Sequence, residues 1–183
     1  MPTWRPNLLS VNDNEFLNSL FFKSLIEFLS NTEIQKIAKQ TNMQVKLCLH
    51  PKMQVRFSKF FKTIPNIEVM DRVNYKDIIS NTDILITDVS SIAFDVAYLK
   101  KPILYYHFDI DDIYSYSAYE PGYFNYLENG FGPVVKDSQT LASELIKIKK
   151  NNYKISKFYL RRVESFFEYN DEFNRERLID LIS

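Results

Sequence analysis

Four short apolar runs rich in β-forming residues, Val45–Leu49, Ile67–Met70, Asp83–Thr87 and Pro102–Phe108, alternate with stretches of helical spacing. This alternation constrains the fold more than any other feature. Helices are expected at Glu15–Leu29, Glu33–Gln40, Pro51–Lys62, Asn74–Asn81 and Ser91–Leu99. A fifth strand is expected at Pro133–Val135, followed by helices near Ser138–Lys150, Ile155–Tyr169 and Asn174–Ile182. Strands joined through helices of this length run parallel, because each right-handed crossover returns the chain to the same end of the sheet. Leu85 and Ile86 lie in a near-continuous apolar run, as a strand covered on both faces requires. The expectation is an α/β, doubly wound parallel sheet of Rossmann-like type. At 183 residues the chain suits one domain, spanning 1–183.

Composition narrows the chemistry. Three glycines stand against 15 Phe and 12 Tyr, and neither GxGxxG nor GxxxxGK[ST] occurs, so a phosphate site here needs another turn chemistry. The formal charge is zero, which leaves no global field to attract nucleic acid. Two His and one Cys are scattered, so no metal centre is expected. Cys48 sits in an apolar run and reads as a small buried hydrophobe. No signal peptide and no apolar run near 18 residues is present, which points to the cytoplasm. From His107 to Val135 carboxylates are interleaved with Tyr and Phe, without a Lys or Arg. That segment reads either as a lid over a nucleotide or as a long loop with its own hydrophobic cluster. From Leu145 to Val163 the bias reverses, to seven Lys and Arg and no carboxylate. A solvated helix face is the simplest reading; peripheral contact with an anionic membrane is the alternative.

The turn Asp88-Val89-Ser90-Ser91 follows a strand and opens a helix. Ligands of an open parallel sheet bind beyond the carboxyl ends of its strands. Free N–H groups and two hydroxyls there suit a diphosphate, unless Ser90 simply caps the helix. Asp95, one turn on, faces the same way as Ser91 and suits a sugar hydroxyl or a structural bond at the helix start. His50-Pro51 ends the second run at the same sheet edge. A histidine there can donate to phosphate or act as general acid, or serve structure alone. His107, within Tyr105-Tyr106-His107-Phe108, reads as packing.

Pro2-Thr3-Trp4-Arg5, His50-Pro51, Ile84-Leu85-Ile86-Thr87-Asp88-Val89-Ser90-Ser91, Phe94-Asp95, Lys101-Pro102-Ile103, Gly132-Pro133-Val134-Val135 and Glu176-Arg177 occur in this order. Together they resemble the C-terminal half of the CDP-glycerol:poly(glycerophosphate) glycerophosphotransferases of teichoic acid and capsule synthesis. The resemblance implies one half of a two-domain GT-B glycosyltransferase-type fold. It implies that CDP-glycerol is the donor and CMP the product, that no further cofactor is needed, and that a lipid-linked primer or polymer is the acceptor. It also implies that His50 meets the pyrophosphate and assists departure of CMP. Ser90 and Ser91 would hold phosphate, with Arg5, Asp88 and Asp95 around the same site. The family's second catalytic histidine has no counterpart here, so weak binding with little turnover is expected unless an N-terminal domain or partner completes the cleft. Val89 stands where Tyr is usual and Asn125 where Asp is common. Asp171-Glu172 and Arg175 replace a small Asp-Gly and a Ser, and the lost glycine closes off tight backbone approach. Rival readings are a sugar-nucleotide glycosyltransferase half-domain and a non-catalytic partner subunit.

Overall fold

A computed structural model describes residues 1–71, 74–116 and 122–182. After a 3-10 turn at Pro6–Leu8 come α1 (Asp13–Asn18), α2 (Leu20–Ser30) and α3 (Thr32–Thr41). Then follow β1 (Val45–Leu47), α4 (Pro51–Phe57), β2 (Ile67–Val69), α5 (Tyr75–Asn81), β3 (Leu85–Thr87), α6 (Ile92–Tyr98) and β4 (Ile103–Tyr106). The chain continues through α7 (Ile110–Tyr116), β5 (Val134–Val135), α8 (Ser138–Lys150), α9 (Lys157–Phe166) and α10 (Asn174–Ile182). Every expected strand forms, parallel to its neighbours and lying inside the anticipated bounds. The fold is α/β and Rossmann-like.

Three local details depart from expectation. The single helix expected over Glu15–Leu29 is two, divided at Ser19. Ser19 has extended backbone (φ −64°, ψ 150°), and its hydroxyl accepts from Phe22 N–H to start α2. A serine that caps its own chain competes with helix continuation. The helix expected over Pro51–Lys62 tightens after Phe57 into a 3-10 turn at Ser58–Phe60. Finally, α7 occupies part of the segment read as an irregular acidic loop.

Helices cover both faces, which gives two apolar cores. One gathers Phe16, Phe57, Phe61, Leu29, Met53, Leu104 and Leu141. Within it, the Phe16 and Phe57 rings stack at 3.8 Å and 8°. The other gathers Leu85, Val96, Ala97, Ile103, Tyr105, Phe131 and Val163. The sheet itself is divided. Among the described residues β1 pairs only with β2, while β3, β4 and β5 form a separate ladder in that order.

Gly132 explains part of its motif. A Cβ at this position would lie 1.8 Å from the Ile103 carbonyl oxygen, so only hydrogen lets the chain pass β4 on its way into β5. Gly132→Ala should cost about 1–3 kcal/mol through overpacking against backbone. That loss would appear as a fall of several degrees in melting temperature with the circular dichroism spectrum retained. An unchanged melting temperature would mean that the segment can move aside.

Candidate functional site

Strands are parallel within each ladder, so β3 and β4 end together, toward Asp88 and Asp109, while β1 ends toward His50. Three consecutive residues join these ends. Thr3 and Arg5 hold Asp88, which follows β3, and Trp4 between them stacks on His50, which follows β1, at 5.7 Å and 25°. The segment Thr3–Arg5 is thus a clamp between the two ladders.

The clamp's anchor is a buried charge cluster. Asp88 accepts from Thr3 N–H at 2.9 Å, Thr3 Oγ1 at 2.6 Å, Arg5 Nη2 at 2.9 Å and Val89 N–H at 2.7 Å. Arg5 also donates to both oxygens of Asp109, from Nε at 2.8 Å and Nη2 at 2.7 Å, and from Nη1 to the Thr3 carbonyl at 2.6 Å. Arg5, Asp88 and Asp109 are exposed by 3%, 1% and 4%. Burial works against the Arg5 guanidinium, but its bonds to Asp109 and the charge of Asp88 outweigh this and raise its pKa. Burial pushes the Asp109 carboxyl up, against the pull of Arg5.

The structure places Arg5 and Asp88 beneath the turn that carries Ser90 and Ser91, bonded to each other. Their polar atoms are spent on each other and lie beneath the surface. They shape the site by fixing the turn above them. Asp109 was missed as a partner; its only sequence signal was its place just beyond the end of the fourth apolar run.

Ser90 and Ser91 remain open. Ser91, not Ser90, occupies the cap position of α6, and its side chain makes no cap bond. Neither hydroxyl is bonded among the described residues. The first bond of the helix runs from Ala93 N–H to the Ser90 carbonyl, and the Ser90 and Ser91 N–H groups have no partner among the described residues. Ser91 is exposed and Ser90 half-buried. Asp95 is exposed in the first turn of the same helix.

His50 caps α4, its Nδ1 accepting from Lys52 N–H at 3.3 Å. That bond assigns the proton of the neutral ring to Nε2, on the far side. Partial burial and the nearby Lys52 charge lower its pKa. The Lys52 ammonium also lies 4.1 Å from the centre of the Trp4 ring. Trp4 and Lys52 therefore hold and tune the histidine, a role that spacing alone did not reveal.

The aromatic segment follows the plainer of its two readings where it is described. Phe124 packs on Phe94, Phe131 and Phe166, and Tyr126 on Tyr105 and His107. Tyr123 is 91% exposed, while Tyr119 and Glu120 lie outside the described residues. Asn125 accepts from Leu127 N–H at 2.9 Å and so shapes the turn. His107 is buried in aromatic packing as expected, although its Nε2 has no hydrogen-bond partner among the described residues. The basic stretch is not wholly solvated. Arg162 donates to the carbonyls of Gly130 and Leu127, both at 3.0 Å, and so ties α9 to this loop. Among the described residues no group of three His, Cys, Asp or Glu side chains could hold a metal. No helix among them is long and apolar enough to cross a membrane. A cavity of 490 Å³ lies between the ladders and is not lined by His50, Ser90, Ser91 or Asp95.

A sequence model described as CDP-glycerol:poly(glycerophosphate) glycerophosphotransferase matches residues 1–183. Over its whole length the chain is 31% identical to the minor teichoic acid biosynthesis protein GgaB of Bacillus subtilis, of which it spans 21%. Over 91% of its length it is 28% identical to a teichoic acid poly(glycerol phosphate) polymerase of Staphylococcus epidermidis, again spanning 21% of that protein. The structure of the wall teichoic acid polymerase TagF superposes with a TM-score of 0.61 at 26% identity, covering 99% of this chain and 41% of that one. The chain thus spans about a fifth of these two curated relatives.

Proposed function

Since this chain belongs to the CDP-glycerol:poly(glycerophosphate) glycerophosphotransferase family, we propose that it binds the donor nucleotide for transfer of glycerol phosphate, or another alditol phosphate, from a CDP-alditol to an acceptor hydroxyl, with release of CMP. The names of the relatives, a minor teichoic acid biosynthesis protein and a teichoic acid poly(glycerol phosphate) polymerase, support an acceptor belonging to teichoic acid synthesis. The observation that carries the reading is the Thr3-Trp4-Arg5 clamp. It ties His50 to a turn whose two serine hydroxyls and N–H groups are unspent.

The chemistry follows from these groups. The free N–H groups and hydroxyls of Ser90 and Ser91 hold a phosphate of the donor without net charge. Nε2–H of His50 donates to the bridging side of the pyrophosphate and passes a proton to CMP as it leaves. Asp95, exposed and one turn away, accepts from a sugar hydroxyl. Catalysis of this kind consists of positioning and charge stabilisation. The work belongs in the cytoplasm, where nucleotide-activated donors are made, with peripheral contact at the inner membrane face to reach a lipid-linked acceptor.

Calorimetric titration with CDP-glycerol, CDP-ribitol and UDP-glucose tests the reading. The cytidine donors should bind and the uridine one should not. Ser90→Ala with Ser91→Ala should weaken binding at least about tenfold, because a hydrogen bond to a charged group is worth about 1.5–3 kcal/mol. Equal binding of UDP-glucose would favour a sugar-nucleotide transferase. No binding by any donor would sink the donor-site assignment.

A further inference from the structure

Cations seated on aromatic rings recur in this protein, and most of their charged ends are spent on a second partner. Arg5, over Phe21, bonds to Asp88 and Asp109. Arg56, over Phe57, donates to the carbonyls of Leu9 and Val11. Lys59, 4.6 Å from the centre of the Phe60 ring, donates to Asp13 at 2.7 Å. Arg162 on Phe158 donates to Gly130 and Leu127, and Arg177 on Tyr169 donates to Asp171. Lys52 differs. Its ammonium lies 4.1 Å from the centre of the Trp4 ring and has no hydrogen bond or ion pair among the described residues. Lys52 is also exposed. A ring in contact with water holds a cation more weakly than an anion does, because it offers only its quadrupole. The charge of Lys52 is therefore available.

Lys52 is fixed beside His50. Its N–H donates to His50 Nδ1 at 3.3 Å, and Trp4, which carries its ammonium, stacks on the His50 ring. The sequence neighbours of Trp4, Thr3 and Arg5, hold Asp88 at the start of the serine turn. An unspent cation thus stands on the bridge between the two halves of the candidate site. The rest of that site is short of positive charge. Ser90 and Ser91 are neutral, Asp95 brings a carboxylate, and Arg5 is buried and paired with Asp88 and Asp109. Burial and this same ammonium keep the His50 ring neutral. A diphosphate ester carries negative charge on both phosphates, which hydroxyl and N–H dipoles alone leave uncompensated.

We infer that Lys52 is the cation that grips the donor's diphosphate: its ammonium leaves the Trp4 face and bonds phosphate oxygens beside His50. This rests on the reading of the site as one for a CDP-alditol, and it names the residue that supplies the charge. The flexible four-carbon stem lets the ammonium move while the backbone stays anchored to His50. Trp4 is the resting place of the charge in the empty site, and it keeps that charge within reach of the histidine. No covalent bond forms or breaks in this step.

Trp4 is the only tryptophan of the chain, so its emission reports on this ring alone. Inorganic pyrophosphate should shift Trp4 emission in the wild type and in Lys52→Arg, which keeps the charge. Lys52→Met, which keeps an apolar stem without the ammonium, should give no shift. Calorimetric titration with CDP-glycerol should show affinity at least about tenfold lower in Lys52→Met, the size of a lost hydrogen bond to a charged group, with the melting temperature unchanged. Lys59→Met removes an equal charge from a lysine already paired with Asp13, and should bind CDP-glycerol as the wild type does. Equal CDP-glycerol affinity in the wild type and Lys52→Met would overturn the role of Lys52 and leave the donor reading standing. An equal loss in Lys59→Met would overturn it too, because any cation would then serve. A pyrophosphate response that requires Lys52, with no preference for CDP-glycerol over UDP-glucose, would uphold the grip and overturn the donor reading. No response to either probe in the wild type would overturn both.

Discussion

Arg5→Ala is expected to lower stability by about 3–5 kcal/mol, because it leaves two buried carboxylates, Asp88 and Asp109, facing each other with their cation removed. At this chain length that corresponds to a melting temperature roughly 10 °C lower. Arg5→Lys should fall between, since an ammonium restores the charge but cannot span Asp88, Asp109 and the Thr3 carbonyl as the guanidinium fork does. The loss should also depend on pH. Burial already pushes the Asp109 carboxyl upward against the pull of Arg5; without Arg5 it rises further. A carboxyl with a folded pKa above its unfolded value favours the folded state at low pH, and that contribution is lost as pH rises through the folded pKa. The deficit of Arg5→Ala should therefore be smaller at pH about 4 than at pH about 7. Thermal melts at both pH values check this, and a deficit independent of pH would mean that the two carboxylates do not sense one another.

His50→Ala is expected to remove most transfer while sparing the fold. General acid catalysis contributes about 10²–10⁴-fold, and a loss of that size should appear in CMP release from CDP-glycerol wherever turnover is measurable. The binding step offers a second readout. In the free protein, burial and Lys52 hold the His50 pKa below its ordinary value, so the ring is neutral at neutral pH. A bound pyrophosphate favours the charged imidazole and raises that pKa. Binding then takes up a proton and tightens as pH falls through the window between the bound and free values, by up to about tenfold per pH unit. Titration of CMP and CDP-glycerol across pH 5–8 should show this slope in the wild type, and His50→Ala should flatten it. A slope that survives the substitution would place the titrating group elsewhere.

Much of this architecture was legible before any coordinates. The five strands and the later helices follow from apolar periodicity, because burying one face is a demand written residue by residue. The exceptions are instructive. Ser19 divides a helix that hydrophobic spacing alone would continue, since a hydroxyl cap competes locally with the helix bond. Helix α7 hides within an acidic aromatic stretch whose composition resembles a loop. In the 88–91 turn the helix cap falls on Ser91 and not Ser90, and the cap side chain makes no cap bond.

The sequence by itself determined the class of fold and the turn that joins β3 to α6, because apolar periodicity and turn chemistry are local properties of the chain. Only the tertiary structure decided how the residues around that turn divide their labour. Arg5 and Asp88 lie 83 positions apart, and Arg5 and Asp109 lie 104 apart. No local pattern says whether such charges meet each other or a ligand. Burial makes them meet, because an unpaired charge beneath the surface is too costly. The same long-range closure sets Trp4 on His50. Among the described residues β1 and β3 do not pair, and no property of either strand alone decides that.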